Sequence, residues 1–105
     1  MPDLSFQDIS TVASDKSPAP VTIASAATVA PTTFLSFISG TVAIATVTPP
    51  VTGAHMLCFV FTTTTPVAFT TTGNIKIVTT PTQNLPTFLV YNPNEGKYYT
   101  GEVTT

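Results

Sequence analysis

The chain has 105 residues, enough for one domain with one modest core but too few for a core plus an enclosed active site. Only 8% of residues are charged, against roughly 25% in a typical soluble domain, so the polar surface must come from hydroxyls, chiefly Thr. A formal net charge of -2, with Lys16, Lys76 and Lys97 as the only basic residues besides His55, excludes a phosphate-binding stripe and hence nucleic acid; no basic stretch flanks an apolar helix, which argues against a membrane-surface role too.

Residues 1–20 differ from the rest of the chain. They hold Asp3, Asp8 and Asp15, three of the five acids, and Pro2, Pro18 and Pro20. Ser14-Asp15-Lys16-Ser17-Pro18-Ala19-Pro20 reads as extended backbone, because proline at alternate positions disfavours helix. The reading is an extended N-terminal arm whose apolar anchors, Leu4, Phe6 and Ile9, dock onto a neighbour. Met1-Pro2-Asp3 is acidic and leads into no long apolar run, so no secretory leader is expected, and no apolar run is long enough to span a bilayer.

Residues 21–105 read as an all-β domain. Val, Ile, Thr, Phe and Tyr dominate, and turn residues interrupt them at short intervals. Strands are predicted near 21–24, 33–39, 42–48, 55–61, 67–70, 74–79, 86–92 and 97–102. Gly40-Thr41 predicts a tight hairpin joining 33–39 to 42–48, with Gly40 at positive φ. In 42–48, Ala43 and Ala45 are small enough to let a second layer or subunit approach. The run 55–61 is apolar on both faces, which places it centrally or at an interface. Thr62-Thr63-Thr64-Thr65-Pro66 ends it. Lys76 points outward and Ile75 and Ile77 inward. Asn92-Pro93-Asn94-Glu95-Gly96 is a turn that pairs 86–92 with 97–102. The Ala-rich stretch 23–30 is too short for a stable helix and ends at Pro31. Eight short strands with close-spaced turns predict a small β-sandwich, a barrel or a trimeric β-prism.

No chemistry is assembled in this sequence. His55 is the sole histidine and Cys58 the sole cysteine; three residues apart on a strand, they face opposite ways, so no metal site is expected from them. Cys58 reads as a small buried hydrophobe. Neither a nucleophile elbow nor a phosphate loop occurs, and Glu95 and Glu102 are the only acids after Asp15. No catalytic residue, no metal and no cofactor is expected. Tyr91, Tyr98 and Tyr99 gather near the C-terminal hairpin and are the candidates for a glycan, a peptide or an interface. Tyr98 and Tyr99 must face opposite sides.

Several pieces form a recurring pattern: Ala27-Thr28-Val29-Ala30-Pro31-Thr32, then Phe37-Ile38-Ser39-Gly40-Thr41-Val42-Ala43-Ile44-Ala45-Thr46-Val47, Pro49-Pro50 with Gly53, Thr72-Gly73-Asn74-Ile75, and Leu89-Val90-Tyr91-Asn92 to Gly96-Lys97-Tyr98-Tyr99. With these, the stretch 25–99 resembles small bacteriophage virion structural proteins of the head-decoration and fibre-module type. Position 99, often Trp in such modules, is Tyr here. The resemblance implies a non-enzymatic viral structural protein, a homotrimer, that decorates and stabilises the capsid through self-association and contacts with the major capsid protein or another shell protein. It would be assembled in the host cytoplasm and carried on the virion surface. The alternatives are a tail-fibre or receptor-binding module and a non-viral, self-assembling adhesive β-domain. Phe34, Phe37, Leu57, Phe59, Phe61 and Phe88, with Ile44, Ile75, Ile77 and Val90, are the candidates for the core or subunit interface.

Overall fold

The computed structural model describes residues 19–102. The arm anchors Leu4, Phe6 and Ile9 lie outside the described residues. Within them the chain forms β1 (Val21–Ala24), β2 (Thr28–Val29), β3 (Leu35–Ser39), β4 (Thr46–Val47), β5 (His55–Phe61), β6 (Pro86–Asn92) and β7 (Lys97–Glu102). One sheet has five strands in the order β1-β3-β5-β6-β7; the other pairs β2 with β4. β1, β3 and β5 run parallel, whereas β5, β6 and β7 are antiparallel. β2 and β4 are parallel to each other. The fold is therefore all-β, with two sheets and mixed topology.

Local sequence explains the well-predicted strands. β5 carries no charge and no proline, and it takes the middle place with a neighbour on each edge. Pro86 occupies the first residue of β6, where a missing amide is tolerated. The β6–β7 turn follows from its residues. The Asn94 amide donates to Asn92 Oδ1 at 3.0 Å, and the Gly96 amide to the Asn92 carbonyl at 2.9 Å. Gly96 has φ of 66°, a conformation in which a side chain is strained.

The hairpin expected across Gly40-Thr41 does not form. Gly40 does adopt positive φ, at 88°, but β3 has no free edge to offer, being flanked by β1 and β5. The chain leaves the sheet instead, held by Val42 N–H donating to Ser25 Oγ at 2.9 Å. The strand predicted at 42–48 shrinks to Thr46–Val47 and pairs with β2, a strand that the sequence pattern does not predict. No strand forms at 67–70, and 74–79 contributes only a single bridge, Ile75 to Tyr98. Ile77, expected inward, is 44% exposed.

The core draws on both sheets. From the five-stranded sheet come Ile38, Leu57, Phe59, Phe61, Leu89 and Tyr98; from β2, β4 and the connecting segments come Val29, Ile44, Val47, Phe69 and Ile75. Each such side chain, fully buried, contributes about 1.5–3 kcal/mol. Phe69, although not on a strand, stacks on Phe59 and meets Phe61 edge-on.

Asn74 fastens this arrangement. Its side chain behaves as a peptide group toward β4: Oδ1 accepts from Val47 N–H at 2.8 Å, and Nδ2 donates to the Val47 carbonyl at 2.7 Å. Its backbone carbonyl accepts from Tyr98 N–H at 2.8 Å. One residue thus ties β4 to β7. Gly73 is required beside it, because a Cβ there would collide with the Ala45 carbonyl and the Thr46 hydroxyl. The close approach expected at the small residues of 42–48 is made by Gly73 of the same chain.

Candidate functional site

Alternation along the strands separates two faces of the five-stranded sheet. On the inner, core-facing side the registers place His55 beside Tyr91, and Tyr91 beside Tyr98. The His55 and Tyr91 rings stack at 5.0 Å between centroids, and Tyr91 and Tyr98 lie 4.8 Å apart. His55 Nδ1 is 2.7 Å from the Gly53 carbonyl, which can only accept, so Nδ1 carries the proton. Nε2 then accepts from the Tyr98 hydroxyl at 2.7 Å. Burial, and secondarily Tyr91, push the Tyr98 phenol well above its usual range, so it remains a donor. Both imidazole nitrogens are thereby engaged. The cluster ties the loop before β5 to β7 and leaves His55 without a free nitrogen. Among the described residues no group of three or more His, Cys, Asp or Glu side chains could hold a metal. No helix among them is long and apolar enough to cross a membrane.

The outer side of the same sheet is different in kind. Leu35 lies beside Cys58, and Cys58 beside Phe88; Phe37 lies beside Val60, and Val60 beside Pro86; Met56 lies beside Val90, and Val90 beside Tyr99. These residues form a continuous apolar surface, and none belongs to the core cluster. Met56 is 47% and Val90 50% exposed. The connecting segments run on the other side. Residues 25–34 and 40–54 carry β2 and β4, and 62–85 places Phe69 and Ile75 in the core. Thr79 then reaches the inward-facing Thr100 hydroxyl at 2.7 Å. Among the described residues, nothing covers the outer face.

Among the described residues, charge on that face is confined to its rim. Lys97 turns its ammonium to the Gly73 carbonyl at 2.9 Å. Glu95 accepts from Tyr99 and from Lys76, the latter at 3.1 Å. These bonds, Tyr99 first, hold the Glu95 carboxyl below its ordinary range, while Glu95 raises both the Tyr99 phenol and the Lys76 ammonium. At the centre of the face Cys58 is buried between its neighbours, and desolvation raises its thiol pKa. Such a thiol is a poor nucleophile at neutral pH.

The predicted residues distribute between the two sides. Leu57, Phe59 and Phe61 are buried in the core, as are Ile44 and Ile75. Phe37, Phe88 and Val90 lie on the outer face. Phe34 precedes β3 and is 50% exposed. The tyrosines do not form one surface: Tyr98 is fully buried, Tyr91 is half-buried beside it, and Tyr99 belongs to the opposite face. Sequence reasoning misses Leu35, Met56, Val60 and Pro86 as members of a shared face. The signal is present in 55–61, apolar on both sides, but assigning its neighbours requires the parallel registers. A scan against protein-family models, a search of curated proteins and a search of solved structures each returned no match.

Proposed function

We propose that this chain is a non-enzymatic structural protein that works by assembly: a bacteriophage virion component that decorates and stabilises the capsid through self-association and contacts with a shell protein. The observation that carries the reading is the apolar face of the five-stranded sheet, which no described residue covers and where the described charges sit only at the rim. A surface of this extent and composition is characteristic of a contact site. The low charge content of the chain, 8% of residues, supports the same reading, since hydroxyl-rich surface is cheaper to desolvate than ionic surface. In this proposal the two sheets are the layers of a small β-sandwich, residues 1–20 form an extended arm, and Leu4, Phe6 and Ile9 anchor that arm on the shell.

A tail-fibre or receptor-binding role would draw on Tyr91, Tyr98 and Tyr99 as a ligand platform. It has less support, because the sheet separates them onto two faces and buries Tyr98.

The test is co-sedimentation of the full chain with purified shells, beside a variant lacking residues 1–16, with circular dichroism on both. The full chain is expected to sediment with shells. The truncated chain is expected to keep its β spectrum and stay in the supernatant. Failure of the full chain to bind any shell would defeat the virion reading. Unchanged binding of the truncated chain would defeat the arm.

A further inference from the structure

We propose that the outer face of the five-stranded sheet is where two copies of this chain stack against one another about a two-fold axis. The inference rests on the reading of the chain as an assembly protein and names the partner of one face: a second copy.

Area is the first argument. Five hydrogen-bonded strands, at about 4.8 Å spacing and about six residues of 3.3 Å rise, make a face of roughly 24 by 20 Å. Stacking two such whole faces, the outward Thr22 and Ala24 of β1 included, removes on the order of 1,000 Å² from water before the pleat is counted, about the minimum expected of a biological interface. Shape is the second. Two sheets of identical twist stack at about 30° with side chains interdigitating, and a face paired with itself meets that condition by symmetry. Electrostatics is the third. The central residues Leu35, Phe37, Met56, Cys58, Phe88 and Val90 carry no charge, so self-pairing brings no like charges together, while the Glu95–Lys76–Tyr99 group stays at the rim. An isologous contact of this kind closes at two copies, whereas the sequence resemblance implies three.

Sedimentation velocity on the full chain over a wide concentration range reads the outcome. The wild type is expected to be a concentration-dependent dimer. Val90→Lys changes a half-exposed position of the face, between Met56 and Tyr99, and is expected to weaken dimerisation by about tenfold or more, with its dichroism spectrum unchanged. Val78→Lys, at an exposed site off this face, is the control and is expected to dimerise normally. A second readout needs no variant: isotope-filtered nuclear Overhauser spectra of mixed labelled and unlabelled chain should show contacts between copies at Leu35, Met56 and Val90. A monomer at every concentration, a trimer indifferent to Val90→Lys, or intermolecular contacts at other residues would each overturn the pairing. A monomer that still sediments with shells would overturn this inference alone and leave the proposed function standing. A dimer that binds no shell would do the reverse.

Discussion

Thr87 lies on β6 between Phe59 of β5 and Glu102 of β7, fully buried, and its hydroxyl has no hydrogen-bond partner among the described residues. A buried hydroxyl without a partner costs about 1–3 kcal/mol. Thr87→Val keeps the branched shape and removes the unmet group, so the variant is expected to gain about 1 kcal/mol. The gain should appear as a higher urea midpoint with an unchanged slope; a loss of stability would mean that the hydroxyl is satisfied. Glu95 presents the opposite case, a surface group with three partners, Tyr99, Lys76 and Asn92. Its carboxyl is held below the ordinary glutamate value of 4.5 in the fold. The sign follows from linkage: the contribution is complete above that ordinary value and is lost as pH falls through the lowered one. Glu95→Gln should therefore narrow its stability difference from the wild type on going from pH 6 to pH 3. Added salt should shrink the difference at pH 6, because exposed pairs are screened. A difference that stays constant with pH would show that the carboxylate charge contributes nothing.

At the scale of elements, β4 is only Thr46–Val47, and much of its support comes from a side chain. Asn74→Ala would leave both the amide and the carbonyl of the buried Val47 without their partners. The expected loss is roughly 2–4 kcal/mol by denaturant unfolding, with the Val47 amide exchanging with solvent much faster than in the wild type. An unaffected Val47 amide would show that β4 does not depend on Asn74. This element also marks where the sequence stops being legible. The strands 21–24, 55–61, 86–92 and 97–102 can be read because each is a run of β-forming residues bounded by turn chemistry. The strand at 42–48 has the same composition, yet most of it is not strand. Its geometry depends on a side-chain amide 27 residues beyond Val47, which no local pattern encodes.

For the whole molecule, the same limit applies to topology and to the candidate face. Alternation in β5 and β6 indicates which residues share a side of one strand. It does not say that β3 runs parallel between β1 and β5. A hairpin at Gly40-Thr41 is the natural expectation for adjacent strands, and only the occupancy of both β3 edges overrules it. The outer face is made of residues from segments far apart in sequence, so its members can be read singly but not as one surface. Tyr98 and Tyr99, by contrast, are adjacent in sequence and expected to point apart, and the fold accordingly places them on opposite sides.

The parallel registers have a kinetic consequence. β3 meets β5 with Leu35 beside Cys58, and β1 meets β3 with Val21 beside Ser36, so these pairings require loops to close before any contact rewards them. The β6–β7 hairpin closes across one short turn. Folding is therefore expected to begin at the C-terminal end, with β5 adding to the hairpin and the parallel strands joining last. Gly96→Ala, at a left-handed turn position, should mainly slow refolding, whereas Val29→Ala in β2 should mainly speed unfolding. Stopped-flow chevrons of the two variants would measure this order, and the reverse assignment of rates would place the nucleus in the parallel strands. A chain that completes its N-terminal half last keeps β1 and β2 unpaired the longest during synthesis, although the ribosome releases them first.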